Sequence, residues 1–306
     1  MAPQQRIISL LPSATEIVCS LGLKDRLVGR SHECDYPPGI EQLPVCSQPK
    51  YRSSGTSPEI SREVSVILRE ALSIYRVNVE RIRALEPTHI ITQSQCAVCA
   101  VSTDELREAL NECLHQDNIT VIDLNPKSLE QVLENIVLVS GHLDVQRKGN
   151  EVVSKMKTSF EDVQSKTKEC SHHPRVAHIE WIEPIMVAGH WMIPLIEMAG
   201  GSNVFLDDGK RWIGFEDLIL QDPDKILIAP CGFSIQRSLK DMPFLEKKRG
   251  WNALKAVREH EVYIGEGSHY FNRPGPRLVD SLEILAEVFH PDLFPAKHCR
   301  SGWMKM

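Results

Sequence analysis

Apolar positions along this chain follow two rhythms. Short, nearly continuous apolar runs predict buried strands at Arg6–Leu11, Arg26–Gly29, His89–Thr92 and Thr120–Leu124. Later runs predict strands at Val176–Trp181, Ile185–Ala188 and Ile226–Ala229, with Val262–Ile264 at a sheet edge. Between them, apolar residues at three- and four-residue spacing predict helices. The first opens at Pro12, with Ser13 as N-cap and Glu16 three residues on, and closes at Gly22. Others are expected from Ser57 to about Tyr75, Asp104 to Leu114, Pro194 to Ala199, Phe215 to Leu220, Trp251 to Val257 and Pro276 to about Phe289. The tail from Pro295 to Met306 has neither rhythm and is expected to be loose.

One stripe is much longer than the rest. Ser128 with Gln131 reads as a capping box, and Leu129, Val132, Leu133, Ile136, Val139 and Leu143 follow on one face. The stripe resumes at Val152, Val153, Met156, Phe160 and Val163. A single helix of roughly 40 residues would span roughly 60 Å, more than one small domain. The other reading is two helices broken near Gly149. Strand–helix alternation on each side implies parallel sheets. The expected class is therefore α/β: two Rossmann-like lobes, residues 1–127 and 169–306, joined by a long helix over 128–168.

Composition narrows the function more than the fold. At 306 residues the chain exceeds a single core, which suits two domains. A formal net charge of −6 without a Lys/Arg stripe argues against a nucleic-acid partner. No apolar run is long enough to span a bilayer. The first strand follows Met1–Gln5 with no secretory pattern before it, and nine scattered cysteines suit reduced thiols, so a cytoplasmic location is expected. A protein partner and an oligomeric state do not follow.

Candidate chemistry gathers where strands end, the ligand-facing edge of a parallel sheet. After the second strand come His32, Glu33, Cys34 and Asp35 in a row. In an extended segment His32 and Cys34 face one way, Glu33 and Asp35 the other. After His89–Thr92 come Gln93 and the CxxC pair Cys96 and Cys99. These two thiols are either small buried packing residues, ligands to a soft metal or ligand group, or a redox dithiol. A metal site would add Cys34 and His32 to Cys96 and Cys99. Ser13 offers a helix N-terminus that can receive a polar or anionic ligand, or is simply a cap. In the second lobe Trp181, His190 and Trp191 stand at strand ends, either as core or as aromatic walls for a flat ligand. The segment Gly265–Arg273 carries His269, Tyr270 and Arg273; the arginine either pairs with a ligand anion or bridges structure.

The order of these features resembles the class III periplasmic binding-protein superfamily, especially its vitamin B12-binding members. The likeness rests on Leu11-Pro-Ser-Ala-Thr-Glu16, Val28-Gly29, Cys34-Asp-Tyr-Pro-Pro38 and Asn78 to Ile91. It resumes in Val187-Ala-Gly189, Gly200-Gly201, Asp222 to Ile228 and Arg273-Pro-Gly-Pro-Arg277. The resemblance implies a ligand held in an interlobe cleft, with Tyr270 at a position where the family supplies an aromatic contact. It departs in carrying Glu33 and Gln93 at other aromatic positions, in residues 50–77, which read as an insertion, and in lacking an export signal. The implied function is binding of a small polar or metal-containing ligand, a corrinoid or similar tetrapyrrole complex. The rival is a cysteine-dependent enzyme, with Cys34, Cys96 or Cys99 as thiolate and His32 or His190 as base.

Overall fold

The computed structural model describes residues 5–70, 74–93, 119–205 and 209–306. The chain divides into two compact units: Met1–Gly55 with Glu59–Ser154, and Thr56–Pro58 with Lys155–Met306.

In unit 1 the strands β1 (Ile7–Ser9), β2 (Leu27–Arg30), β5 (His89–Thr92) and β6 (Thr120–Asp123) form one sheet in the order β2-β1-β5-β6. Every pair in it is parallel. Ile7, Ile8, Ile90 and Ile91 have no exposed surface, as expected of strands covered on both faces. Helix α1 (Pro12–Ser20) follows β1 directly. Leu11, not Ser13, holds its N-cap position, with Pro12 first in the helix. Ser13 therefore lies inside the first turn, and it is buried. The segment expected to be an insertion begins after β3 (Ser47–Pro49), which pairs antiparallel with β4 (Tyr75–Val77). Helix α2 (Ser57–Glu70) lies between them in sequence, so Tyr75 belongs to a strand rather than to the helix end. Helix α3 (Val79–Ala84) is capped by the Asn78 side chain, which accepts from Arg81 N.

The long stripe resolves into two helices, α4 (Leu129–His142) and α5 (Gln146–Thr167). The expected cap holds: Ser128 Oγ accepts from Gln131 N at 3.2 Å. A single helix over 128–168 is not what forms. The break falls at 143–145, where Asp144 adopts a left-handed φ of 56° and Val145 N returns to Ser140 O. Gly149 is not the breaker. It lies inside α5, where a Cβ would fall 2.1 Å from Ser140 Oγ and 2.5 Å from Ser140 Cβ. The glycine lets the first turns of α5 press against the end of α4. The division between the units falls within α5, between Ser154 and Lys155. Gly149→Ala should destabilise the protein by about 1–2 kcal/mol, since overpacking of up to ~3 kcal/mol outweighs the ~1 kcal/mol that alanine gains in a helix. Thermal denaturation tests this, and adding Ser140→Gly should restore most of the loss; a gain in melting temperature for the single variant would contradict the close approach.

Unit 2 is built on β7 (Arg175–Trp181), β8 (Ile185–Val187), β9 (Ser202–Asn203), β10 (Trp212–Ile213), β11 (Lys225–Ile228), β12 (Val262–Gly265) and β13 (Trp303–Lys305). The sheet order is β10-β8-β7-β11-β12-β13, with β9 also on β7. The centre, β7-β11-β12, is parallel; β8, β10 and β13 join antiparallel. Thus β12 is not an edge and the tail is not loose. Trp303 Nε1 donates to Glu287 Oε2 at 2.7 Å and Met306 N to Val262 O, which fastens β13 beside β12.

Beyond α5, the described residues of the unit form the helices α6 (Met192–Met198), α7 (Phe215–Gln221), α8 (Ile235–Asp241), α9 (Pro243–Glu246), α10 (Lys255–Arg258) and α11 (Leu278–Phe289). The expected helix at 251–257 is a 3-10 turn (Trp251–Ala253) followed by α10. Ala177 and Ile179 of β7 enter the core with Ile226, Ile228, Val262, Met242 and Leu245. By strand alternation His178 and Glu180 point to the other face, where the His178 ring meets the edge of Phe271 at 5.4 Å.

Candidate functional site

In unit 1 the loops at the carboxyl ends of β1, β2 and β5 bring Ser13, residues 31–38 and Gln93 to one sheet edge. The segment after β2 is not extended. Cys34 N closes a turn onto Ser31 O at 3.3 Å, so the expected alternation of His32 and Cys34 does not apply. The two side chains take different partners. Cys34 is 1% exposed; its Sγ accepts from Thr15 Oγ1 at 3.0 Å and lies 3.2 Å from Ser31 Oγ. The His32 ring lies 3.0 Å from Ser47 Oγ through Nδ1 and stacks at a tilt on Tyr75, 5.0 Å between centroids.

Burial, with Arg30 adding to it, pulls His32 down to about 4. The imidazole is therefore neutral near pH 7. Its 3.9 Å approach to Glu33 Oε1 is consequently a polar contact and not an ion pair. The Tyr75 hydroxyl donates to the same Glu33 oxygen at 3.1 Å, and Tyr51 lies 6.3 Å from Tyr75. His32, Glu33, Tyr75 and Ser47 form a connected polar and aromatic group beside the strand ends. Gln93 follows β5 and is 6% exposed. Cys96, Cys99 and the helix expected over Asp104–Leu114 lie outside the described residues.

In unit 2 the strand ends carry an aromatic array. Trp181, at the end of β7, lies 5.0 Å from Phe233, which follows β11. The Arg237 guanidinium stands 4.3 Å over the Phe233 ring and is held by Asp241 at 2.9 Å. His190 adopts a left-handed φ of 55° and stacks on Trp191, with 5.9 Å between centroids and a 28° interplanar angle. Trp191 Nε1 donates to Phe271 O at 3.2 Å. That bond ties it to the segment Gly267–Phe271, one π-helical turn after β12. Such turns are frequent at functional sites.

Buried polar groups set the shape of this turn. Glu266 accepts from Ile235 N at 3.0 Å and from the Ser268 hydroxyl. Asn272 Nδ2 donates to Ala229 O and Gly267 O, both at 3.1 Å. His269 and Tyr270 are half-buried on the turn; Tyr270 has Arg277 stacked 4.4 Å over its ring. Arg273 is 6% exposed and sits among buried residues just beyond it.

Sequence reasoning missed Tyr75 and Arg237. Phe233 was expected at a strand end, because Pro230-Cys-Gly232 places it after the strand Ile226–Ala229. Tyr75 had no such signal, because its place depends on pairing with β3.

The sequence profile of the periplasmic binding proteins matches residues 7–267. A substrate-binding lipoprotein of an ABC transporter from Bacillus subtilis (strain 168), itself uncharacterised, is 25% identical over 299 residues, covering 95% of this chain and 81% of its own. The vitamin B12-binding protein of Vibrio cholerae (strain O395) is 26% identical over 287 residues, covering 92% and 87%. Among solved structures, the periplasmic heme-binding protein RhuT of Roseiflexus sp. RS-1, in apo form, superposes with a TM-score of 0.70 at 21% identity, covering 94% of this chain and 98% of its own. These similarities overturn the cytoplasmic location expected above. A lipoprotein and a periplasmic protein both point to an extracytoplasmic location. Scattered cysteines were too weak a signal to set the compartment, since free thiols that are buried, as Cys34 and Cys46 are, tolerate either.

Proposed function

The chain belongs to the periplasmic binding protein family, and from that premise we propose that it binds a corrinoid or a related tetrapyrrole–metal complex as its small-molecule ligand. Contacts come from the strand-end residues of the second unit, Trp181, His190, Trp191, His269, Tyr270 and Arg273. The observation that carries this reading is a pair of aromatic groups in one unit, Trp181 with Phe233 and Trp191 tied to the turn that carries Tyr270. Flat aromatic faces suit the broad apolar faces of a macrocycle. Half-buried His190 and His269 add imidazoles of the kind that ligate a macrocycle-bound metal. The named ligands of two relatives, vitamin B12 and heme, fall in this chemical class.

Titration of the purified protein with cyanocobalamin and, separately, with hemin tests the proposal. Saturable one-to-one binding of either is expected, read by calorimetry and, for hemin, by a Soret shift. Trp181→Ala and Tyr270→Ala should each weaken binding by about 1–3 kcal/mol through lost area and aromatic geometry. Their melting temperatures should stay close to wild type. Absence of saturable binding for both compounds overturns the ligand class. Equal loss of stability and affinity in Trp181→Ala would make that residue core and remove it from the wall.

A further inference from the structure

Helix α11 and the segment that follows it place three metal-ligating side chains together, with the His298 ring 6.1 Å from that of Tyr270. Asp280 and Glu283 stand one turn apart on α11, and His298 arrives from the returning chain. One ligand atom from each lies within 4.8 Å of the other two. We propose that Asp280, Glu283 and His298 form a binding site for a first-row divalent cation, Zn2+ fitting best, that fastens the C-terminal segment to α11.

The donor set selects the cation. Two carboxylates and one imidazole suit Zn2+, Co2+ or Mn2+; Mg2+ and Ca2+ favour oxygen alone, and Cu+ favours thiolates. Tetrahedral Zn2+ with bonds of about 2.0–2.2 Å holds its ligand atoms roughly 3.3 Å apart. His298 Nε2 and Glu283 Oε2 are already 2.8 Å apart. Closing the remaining separations, none above 4.8 Å, takes side-chain movements on the order of 1 Å. Three protein ligands leave a fourth position for water.

The imidazole is placed as a ligand rather than left on the surface. The His298 side chain is 10% exposed, and its Nε2 is aimed at the Glu283 carboxylate. Its backbone N–H is held by both Glu287 oxygens at 3.1 Å. Glu287 also accepts from Trp303 Nε1, so one carboxylate behind the site anchors the segment at His298 and again at Trp303. Groups that orient a metal ligand in this way ordinarily strengthen binding.

One cation already marks the position. Lys297 Nζ lies 2.7 Å from Glu283 Oε2, the oxygen that His298 also faces. The lysine side chain is 66% exposed, so its ammonium returns to water readily when a divalent ion replaces it. Arg277 lies 3.5 Å from Asp280 and stacks on Tyr270, so its guanidinium has a second partner besides that carboxylate.

The test uses the full chain, stripped with a chelator and titrated with Zn2+ and Co2+. Wild type should bind one more equivalent than the Glu283→Gln/His298→Gln double variant, which separates this site from the cysteines. Asp280→Asn and Glu283→Gln alone, both at partly exposed positions where folding is not at risk, should each weaken that equivalent about tenfold or more. Lys297→Ala should tighten it several-fold by removing the competing ammonium. Cobalt should give visible d–d absorption without thiolate charge transfer. Equal stoichiometry and affinity in wild type and the double variant, or a Lys297→Ala chain that merely loses stability without gaining affinity, would mean an ion-pair network only and overturn the site.

Discussion

Acidification from pH 6.5 to 4.5 is expected to cost the wild-type protein about 2–3 kcal/mol relative to a His178→Leu variant, at roughly 1.4 kcal/mol per pH unit. His178 is fully buried on β7, and neither ring nitrogen has a hydrogen-bond partner among the described residues. Burial, with Arg211 adding to it, pulls its pKa from 6.5 down to about 3. The unfolded chain therefore takes up a proton below pH 6.5 that the folded one refuses. The contribution of His178 is complete above pH 6.5 and is lost as the pH falls toward 3. Glu180, two residues on and paired with Arg211, runs the other way. Its burial outweighs the arginine and raises it from 4.5 to about 7. Its contribution is complete below pH 4.5 and is lost as the pH rises through 7.

The two groups thus oppose each other in the same window. Wild type should be nearly flat there, His178→Leu should grow more stable on acidification, and Glu180→Gln should lose stability more steeply than wild type. At pH 7.5 His178→Leu should match or exceed wild type, because leucine leaves no buried polar atom unpaired. Chemical denaturation across this pH range decides the matter. Parallel curves for wild type and His178→Leu would show that the imidazole is not held neutral.

Gly267→Ala is expected to cost more than about 3 kcal/mol, the range reserved for backbone collisions and broken buried networks. A Cβ there would fall 2.1 Å from Pro230 O and 2.9 Å from Ala229 C and O. All three are backbone atoms with little freedom to yield. Ala229 N bonds to Ile179 O, Phe233 N to Pro230 O, and Asn272 to Ala229 O. The turn carrying His269 and Tyr270 must therefore move instead, and ligand affinity should fall with stability. Ser268→Ala, one residue on, keeps the backbone and should cost far less. Melting temperatures of the two variants test this, and comparable losses would show that the close approach is not what the glycine provides.

Much of the architecture was legible in the chain. Apolar runs such as Ile7-Ile8, Ile90-Ile91 and Ile226-Leu-Ile228 are buried on both faces, and no other backbone shelters them so well; each is a parallel strand within a residue or two of its expected bounds. Ser128 with Gln131 announced α4 because a cap is a local hydrogen bond. The strand-end positions of His32, Gln93, Trp181 and Tyr270 followed from topology alone.

Tertiary structure decided what depends on distant neighbours. The stripe at 128–168 looked continuous because Leu143 stays buried through the break, while the turn itself needs only Asp144 to go left-handed. Gly149, a breaker by propensity, is required by the close approach of the Ser140 side chain. The tail has no rhythm because a three-residue strand shows none; pairing with β12 and the Trp303–Glu287 bond order it. His32 and Cys34 part company because a turn, not an extended strand, follows β2. Sequence period records burial along one element. It carries no record of which remote segment arrives to meet that element, and the local turns at 32–34 and 144 are set by such meetings.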